Sequence, residues 1–132
     1  MTDEQIALAR RAVACRGWWW MPGMRTTDAM RVVHDETAFP GRPCAIREGG
    51  WVDTSPPRPL GAAIPDLTDP ATLGCLLALV RKAWAYPSAQ VAPMFTVGAG
   101  WLTYTNDDGD RDHRFYGISE AEALVAALEA AP

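Results

Sequence analysis

Two histidines, His34 and His113, and three cysteines, Cys15, Cys44 and Cys75, are the side chains best suited to covalent or metal chemistry in this chain of 132 residues. A thiolate beside an imidazole makes a nucleophilic pair, and a His/Cys set makes a zinc site. Ligands carried by one helix stand three or four positions apart, and no two of these five do. Any such site must be assembled by the tertiary fold. Taken singly, His34 reads as a strand-end residue beside Asp35 and Glu36, and His113 as the base of an acidic turn. The cysteines are odd in number, widely spaced and without a C-x-x-C pair, which favours reduced thiols over a disulfide framework.

The run Asp107, Asp108, Asp110, Asp112 spaces its carboxylates like part of an EF-hand loop, but Gly109 is out of place and no Glu closes the site. A solvated hairpin turn using the Asp-Gly step explains the same residues. The "GAG" at 98–100 sits inside a strand pattern with no helix after it, unlike a dinucleotide loop, and no G-x-S-x-G elbow is present. The expectation is no catalytic set, no cofactor and no metal.

Aromatic residues offer a different chemistry. Trp18, Trp19 and Trp20 run together ahead of Pro22-Gly23, with Arg16 and Arg25 on either side. Rings among arginines can stack on single-stranded bases. Against that, net charge is -4 with a pI near 5.0, and the eight acidic residues of 67–132 face only four basic ones. No basic stripe exists to track a phosphate backbone, so nucleic acid is not the expected partner. The rings are expected to serve packing, with one of them left over as a protein-interface anchor.

These residues must be positioned by a short list of elements. Residues 3–16 carry Ile6, Leu8, Ala9, Ala12 and Val13 on one half of a helix, acids in its first turn and arginines later. Gly17 suits the left-handed position that ends it, which would press Trp18 onto Val13. Extended backbone then puts Trp18 and Trp20 on one face and Trp19 on the other. Pro22-Gly23 suit the centre of a type II turn flanked by Met21 and Met24. Residues 24–34 and 43–53 read as short strands, the second either one strand or a hairpin at Gly49-Gly50. The proline-rich stretch 54–66 reads as an internal loop unable to join a central strand.

Asp69 as N-cap, Pro70 at the first position and Pro87 beyond Tyr86 delimit a second helix, with Leu73, Leu76, Leu77, Val80 and Trp84 on one face. Gly74, Ala78 and Ala85 form a ridge of small residues beside it. A helix-interior Gly costs about 1 kcal/mol, so close approach by a neighbouring helix, or by a second copy of the chain, is expected there. Residues 91–105 and 113–117 read as a hairpin. Ser119 and Glu122 read as a capping box with Ile118 as its staple, opening a last helix that buries Leu124, Val125 and Leu128. The expected order is α-β-β-α-β-β-α, one α+β domain over 1–132 with an antiparallel sheet and helices packed on it.

The stretches "WWWMPGM", "IPDLTDPATLGCLLALVRKAW" and "GISEAEALVAALEAA" resemble small proteins encoded by bacteriophages and prophages. Those carry a W-x-W-x-P-G-M segment, a D-P-A-T-x-G-x-L helix opening and a C-terminal E-A-L-V-A-A-L-E helix. Trp18, Trp20, Pro22, Gly23 and Met24 fit the first pattern, and Trp19 takes its unspecified position. The resemblance implies no activity and transfers no catalytic residue.

No apolar run approaches the roughly 20 residues of a membrane span. The opening "MTDEQIALARRA" has no secretory h-region, so the expected place is the cytoplasm, that of the host if the chain is phage-encoded. The leading expectation is a non-enzymatic accessory protein that binds a host or phage protein through Trp19, Met21, Pro22, Arg25, Pro57 and Pro59. A small enzyme or ligand-binding domain using His34, His113 or a cysteine is one alternative, and a minor virion or assembly component another.

Overall fold

The computed structural model describes residues 1–48, 56–95, 100–106 and 113–132. The elements run α1 (Asp3–Ala14), β1 (Met30–His34), β2 (Pro43–Arg47), β3 (Arg58–Pro59), α2 (Pro70–Ala83), β4 (Gln90–Pro93), β5 (Trp101–Tyr104), β6 (Arg114–Gly117) and α3 (Glu120–Glu129). The class is α+β, but each half carries one strand more than its sequence pattern suggests. The strands form two antiparallel meanders, β1-β2-β3 and β4-β5-β6, in place of one sheet.

Local chemistry explains the helix starts. The Thr2 hydroxyl accepts from Gln5 N at 3.1 Å while Gln5 Oε1 accepts from Thr2 N at 2.9 Å, a reciprocal capping box. Asp69 Oδ2 accepts from Thr72 N at 2.9 Å, with Pro70 where a missing N–H costs nothing. Ser119 Oγ accepts from Glu122 N at 3.1 Å, but Glu122 returns the bond one residue early, to Ile118 N at 2.8 Å. Ile118 does not act as the expected staple: it is 75% exposed, and the fourth helical residue, Ala123, is too small to hold it.

Two glycine expectations are corrected. Gly17 does not take a left-handed conformation; α1 stops at Ala14, Cys15 turns extended, and Trp18 N donates to Cys15 O at 3.0 Å. Gly17 is small for a tertiary reason: a Cβ there would lie 3.1 Å from Leu128 Cδ1 and 3.3 Å from Ala83 Cβ. Among the described residues no neighbouring helix approaches Gly74, since a Cβ there would meet nothing within 4 Å. The left-handed terminus belongs to α2. Ala85 has φ 51°, Tyr86 N donates to Arg81 O at 2.9 Å and Ala85 N to Lys82 O at 3.1 Å, a Schellman closure carrying alanine where glycine is the relaxed residue.

The expected strand over 91–105 is instead two. Gln90 pairs with Tyr104 and Pro93 with Trp101, and Met94 N donates to Gly100 O at 2.7 Å across the reversal. Pro93 offers no N–H to prolong the ladder, and Gly100 meets the next strand so closely that a Cβ would lie 2.8 Å from Gly117 O. Arg58 and Pro59 of the proline-rich loop add a two-residue edge strand to β2, the one place in a sheet where proline fits. Whether Gly49-Gly50 makes a hairpin, and whether Asp107, Asp108, Asp110 and Asp112 hold an ion, lies outside the described residues.

All three helices point the same way. Their C-terminal ends meet where Arg11 pairs with Glu129, where Gly17 touches Ala83 and Leu128, and where Trp84 Nε1 donates to Ala127 O at 2.8 Å. α3 lies centrally, against α1, α2 and all three strands of the second sheet. Its Ala121, Leu124, Val125, Ala127 and Leu128 enter one core with Leu8 and Ala12 of α1, Leu76, Leu79 and Val80 of α2, and Val32 of β1.

The glycines separate solvent from close packing. Gly74→Ala should stabilise by about 1 kcal/mol, because it lifts the helix-interior penalty and meets open space. Gly117→Ala should destabilise by about 3 kcal/mol, since its Cβ would lie 2.6 Å from Glu122 Cβ at the joint of β6 and α3. Urea melts of both variants check the pair; opposite signs are required.

Candidate functional site

The tryptophan corner is built by three local events. A turn over residues 15–18, closed by Trp18 N donating to Cys15 O, leads into a segment whose burial alternates, so Trp18 and Trp20 turn inward and Trp19 outward. The inward rings meet edge to face, 5.4 Å apart at 85°, and pack on the core. Pro22-Gly23 then reverse the chain, with Gly23 at φ 98° and Met24 N donating to Met21 O at 3.1 Å, the type II turn that the dipeptide predicts. Met24 is fully buried and Met21 half-buried, so this turn is anchored at both sides.

Trp19 is 63% exposed. Lys82, the one lysine of the chain, reaches over its ring from the last turn of α2, with Nζ 5.4 Å from the centroid. Such a contact is worth about 0.5–1 kcal/mol at an exposed position and holds the ring without covering it. Pro22 is exposed beside it in sequence. Pro57 is half-buried and Pro59 exposed, and Pro59 pairs with Cys44 on the edge of the first sheet. Trp19 and Pro59 are therefore presented by different elements.

Arg25 has a structural engagement that its sequence position does not announce. Its N–H donates to Thr72 Oγ1 at 2.8 Å, Nη1 reaches Asp66 Oδ2 at 3.3 Å, and Nε lies 2.8 Å from Glu48 Oε2 as a charge contact without hydrogen-bond alignment. Beside it, Arg31 was not singled out by sequence and does more. Its Nη1 donates to Gly23 O at 2.8 Å and to Asp69 Oδ2 at 2.9 Å, and its guanidinium pairs with Glu48. The pair clamps the first sheet and the Pro22-Gly23 turn onto the start of α2. Burial pushes the Asp69 carboxyl up, but the bonds from Arg31 and from both donors of Thr72 outweigh it and hold the group below its ordinary value.

The groups proposed for covalent chemistry are dispersed. Cys15 Sγ donates to Arg11 O at 3.3 Å, Cys44 Sγ to Val33 O at 3.7 Å and Cys75 Sγ to Pro22 O at 3.8 Å. All three thiols are free, and burial pushes those of Cys15 and Cys75 up, toward the protonated and less nucleophilic form. His34 is exposed at the end of β1, while His113 packs 5.4 Å from Trp84. Among the described residues no three His, Cys, Asp or Glu side chains are grouped to hold a metal ion. No helix among them is long and apolar enough to cross a membrane.

Comparison with protein-family models, with curated proteins and with solved structures finds no match to this chain.

Two measurements follow from this geometry. Trp18→Ala and Trp20→Ala should each cost about 3 kcal/mol in urea melts, and Trp19→Ala about 1 kcal/mol or less. A Trp19 variant as damaging as the others would mean that residues 18–20 do not alternate. The second measurement concerns acid. Asp69 has a depressed pKa, so its contribution is complete above the ordinary value of 3.8 and is lost as pH falls through the lower folded value. Asp69→Asn keeps a good N-cap. The stability gap between parent and variant should be widest near neutrality and shrink below that ordinary value; a gap independent of pH would show that the carboxylate charge contributes nothing.

Proposed function

We propose that this protein works by binding another protein, with Trp19 as the anchor of the contact. The observation that carries the reading is the exposure of a tryptophan on a framed corner. A ring 63% open to solvent is held by inward neighbours on both sides, by a bonded turn that begins two residues later and by a lysine over one face. Tryptophans that are large, ordered and open are the residues most often found as binding anchors, because little conformational freedom is left to lose. The raised thiol pKa values of Cys15 and Cys75 weigh against a nucleophilic enzyme using those residues.

The resemblance of "WWWMPGM" and of the two helical stretches to phage and prophage proteins supports an accessory role of that kind, with a cytoplasmic partner from host or phage. Trp19 occupies the position that the W-x-W-x-P-G-M pattern leaves open, which suits a residue that tunes partner choice while Trp18, Trp20 and Gly23 keep the corner in shape.

Tagged parent and Trp19→Ala proteins, each expressed in the producing cells and captured with quantitative mass spectrometry, test this reading. A specific partner should fall about tenfold or more in the variant, as for an anchor worth at least ~1.4 kcal/mol, while both proteins melt within a few degrees of each other. Equal capture by parent and variant would overturn the role of Trp19.

A further inference from the structure

At the end of the helix layer opposite Lys82 and Trp19, the N-termini of the three helices leave an open groove. Two adjoining depressions of about 240 and 520 Å³ share Gln5, Leu8 and Ser119. Leu8, Leu67 and Leu73 make the floor of the smaller one. Ile118 borders the larger one and is 75% exposed, an aliphatic side chain that the fold does not use. Carboxylates line the same space: Glu120 at the first depression, Glu4 and Glu122 at the second. Among the described residues Arg11 is the one basic residue bordering either depression, and it is already paired with Glu129.

The electrostatic sign survives the helix dipoles. Each helix N-terminus contributes roughly half a positive charge. The first turns of α1 and α3 carry Asp3, Glu4, Glu120 and Glu122, four negative charges against about one and a half positive charges from the three termini. An apolar floor under a negative rim is complementary to one kind of surface.

We infer that this groove docks a lysine- or arginine-rich amphipathic helix of another protein. One aliphatic side chain of that helix fills the depression over Leu8, Leu67 and Leu73, its apolar face covers Ile118, and its basic residues pair with Glu4, Glu120 and Glu122. A second copy of this chain fits poorly, because its own net charge is -4 and a two-fold contact here would set two acidic rims against each other. An anionic lipid surface is repelled for the same reason. This inference is independent of the Trp19 corner, which lies at the other end of the helices.

Fluorescence anisotropy with the full chain and a labelled amphipathic Leu/Lys peptide tests it, with a Leu/Glu peptide of the same apolar pattern as counterpart. The Leu/Lys peptide should bind and the Leu/Glu peptide should not. Ile118→Ser, and separately the double reversal Glu4→Lys with Glu120→Lys, should each weaken binding about tenfold or more. Glu36→Lys, an exposed reversal in the turn between β1 and β2, should change it less than about threefold. Thermal melts confirm that the exposed-site variants remain folded. Absence of Leu/Lys binding overturns the inference. So does an equal loss in Glu36→Lys, which would mean unspecific charge attraction. An Ile118-dependent dimer in sedimentation would overturn it too, by giving the groove to a second copy.

Discussion

The backbone of α3 approaches its surroundings more closely than larger side chains would permit, and the rest of the molecule is arranged around that fact. At its start, Gly117 passes so near Ala123 and Glu122 that a β-carbon has no room. At its end, Gly17 lets the segment after α1 slide between Ala83 and Leu128. Between these points Ala121, Ala123 and Ala127 are buried, so the sheet on one side and the helices on the other come in close. A helix whose inward face is made of small and aliphatic residues can be packed from several sides because none of its buried side chains demands water. Glu120, Glu122 and Glu129 stay at the surface. The Trp84 indole, bonded to Ala127 O, closes the last gap.

Helices that share one direction also add their dipoles, and the chain answers with charge. Acids occupy the first turns of α1 and α3, and Arg11, Arg81 and Lys82 occupy the last turns of α1 and α2. This arrangement offsets the repulsion between like helix ends. It also divides the surface into an acidic end holding the Ile118 groove and an opposite end where Lys82 lies over Trp19. Under the proposed contacts, stability and recognition draw on the same side chains.

The first sheet has little apolar area of its own, with Val32, Cys44 and Ala45 buried. Polar bonds compensate. Arg31 and Arg25 tie β1 and the turn before it to Glu48, Asp66 and the cap of α2, so loss of a single carboxylate would loosen two elements at once. Charged groups held this way are costly to bury but more costly to leave half-paired, which makes the clamp a device for fixing geometry.

What the sequence determined was local chemistry. Asp69-Pro70 and Ser119 start their helices because a side-chain oxygen three residues back from an unpaired N–H needs no help from the fold. Pro22-Gly23 turn the chain because one residue has its φ preset and the other tolerates a positive one. Alternation over residues 18–20 left Trp19 outside, so the central residue of the candidate site was legible. Reading failed where spacing along the chain says nothing about proximity in space. Gly17, expected to end α1 in a left-handed conformation, is needed for close packing, and Gly74, expected to be close-packed, faces solvent, because such glycines look alike in one dimension. The stretch after Gln90 folded back on itself because a continuous β-forming pattern does not reveal where a ladder must reverse. Arg31 and Lys82 met Asp69 and Trp19, and Ile118 was left exposed, only in the tertiary structure, where the helices share one direction. That direction is a property of chain crossings over two sheets, and it is decided by burial across the whole core.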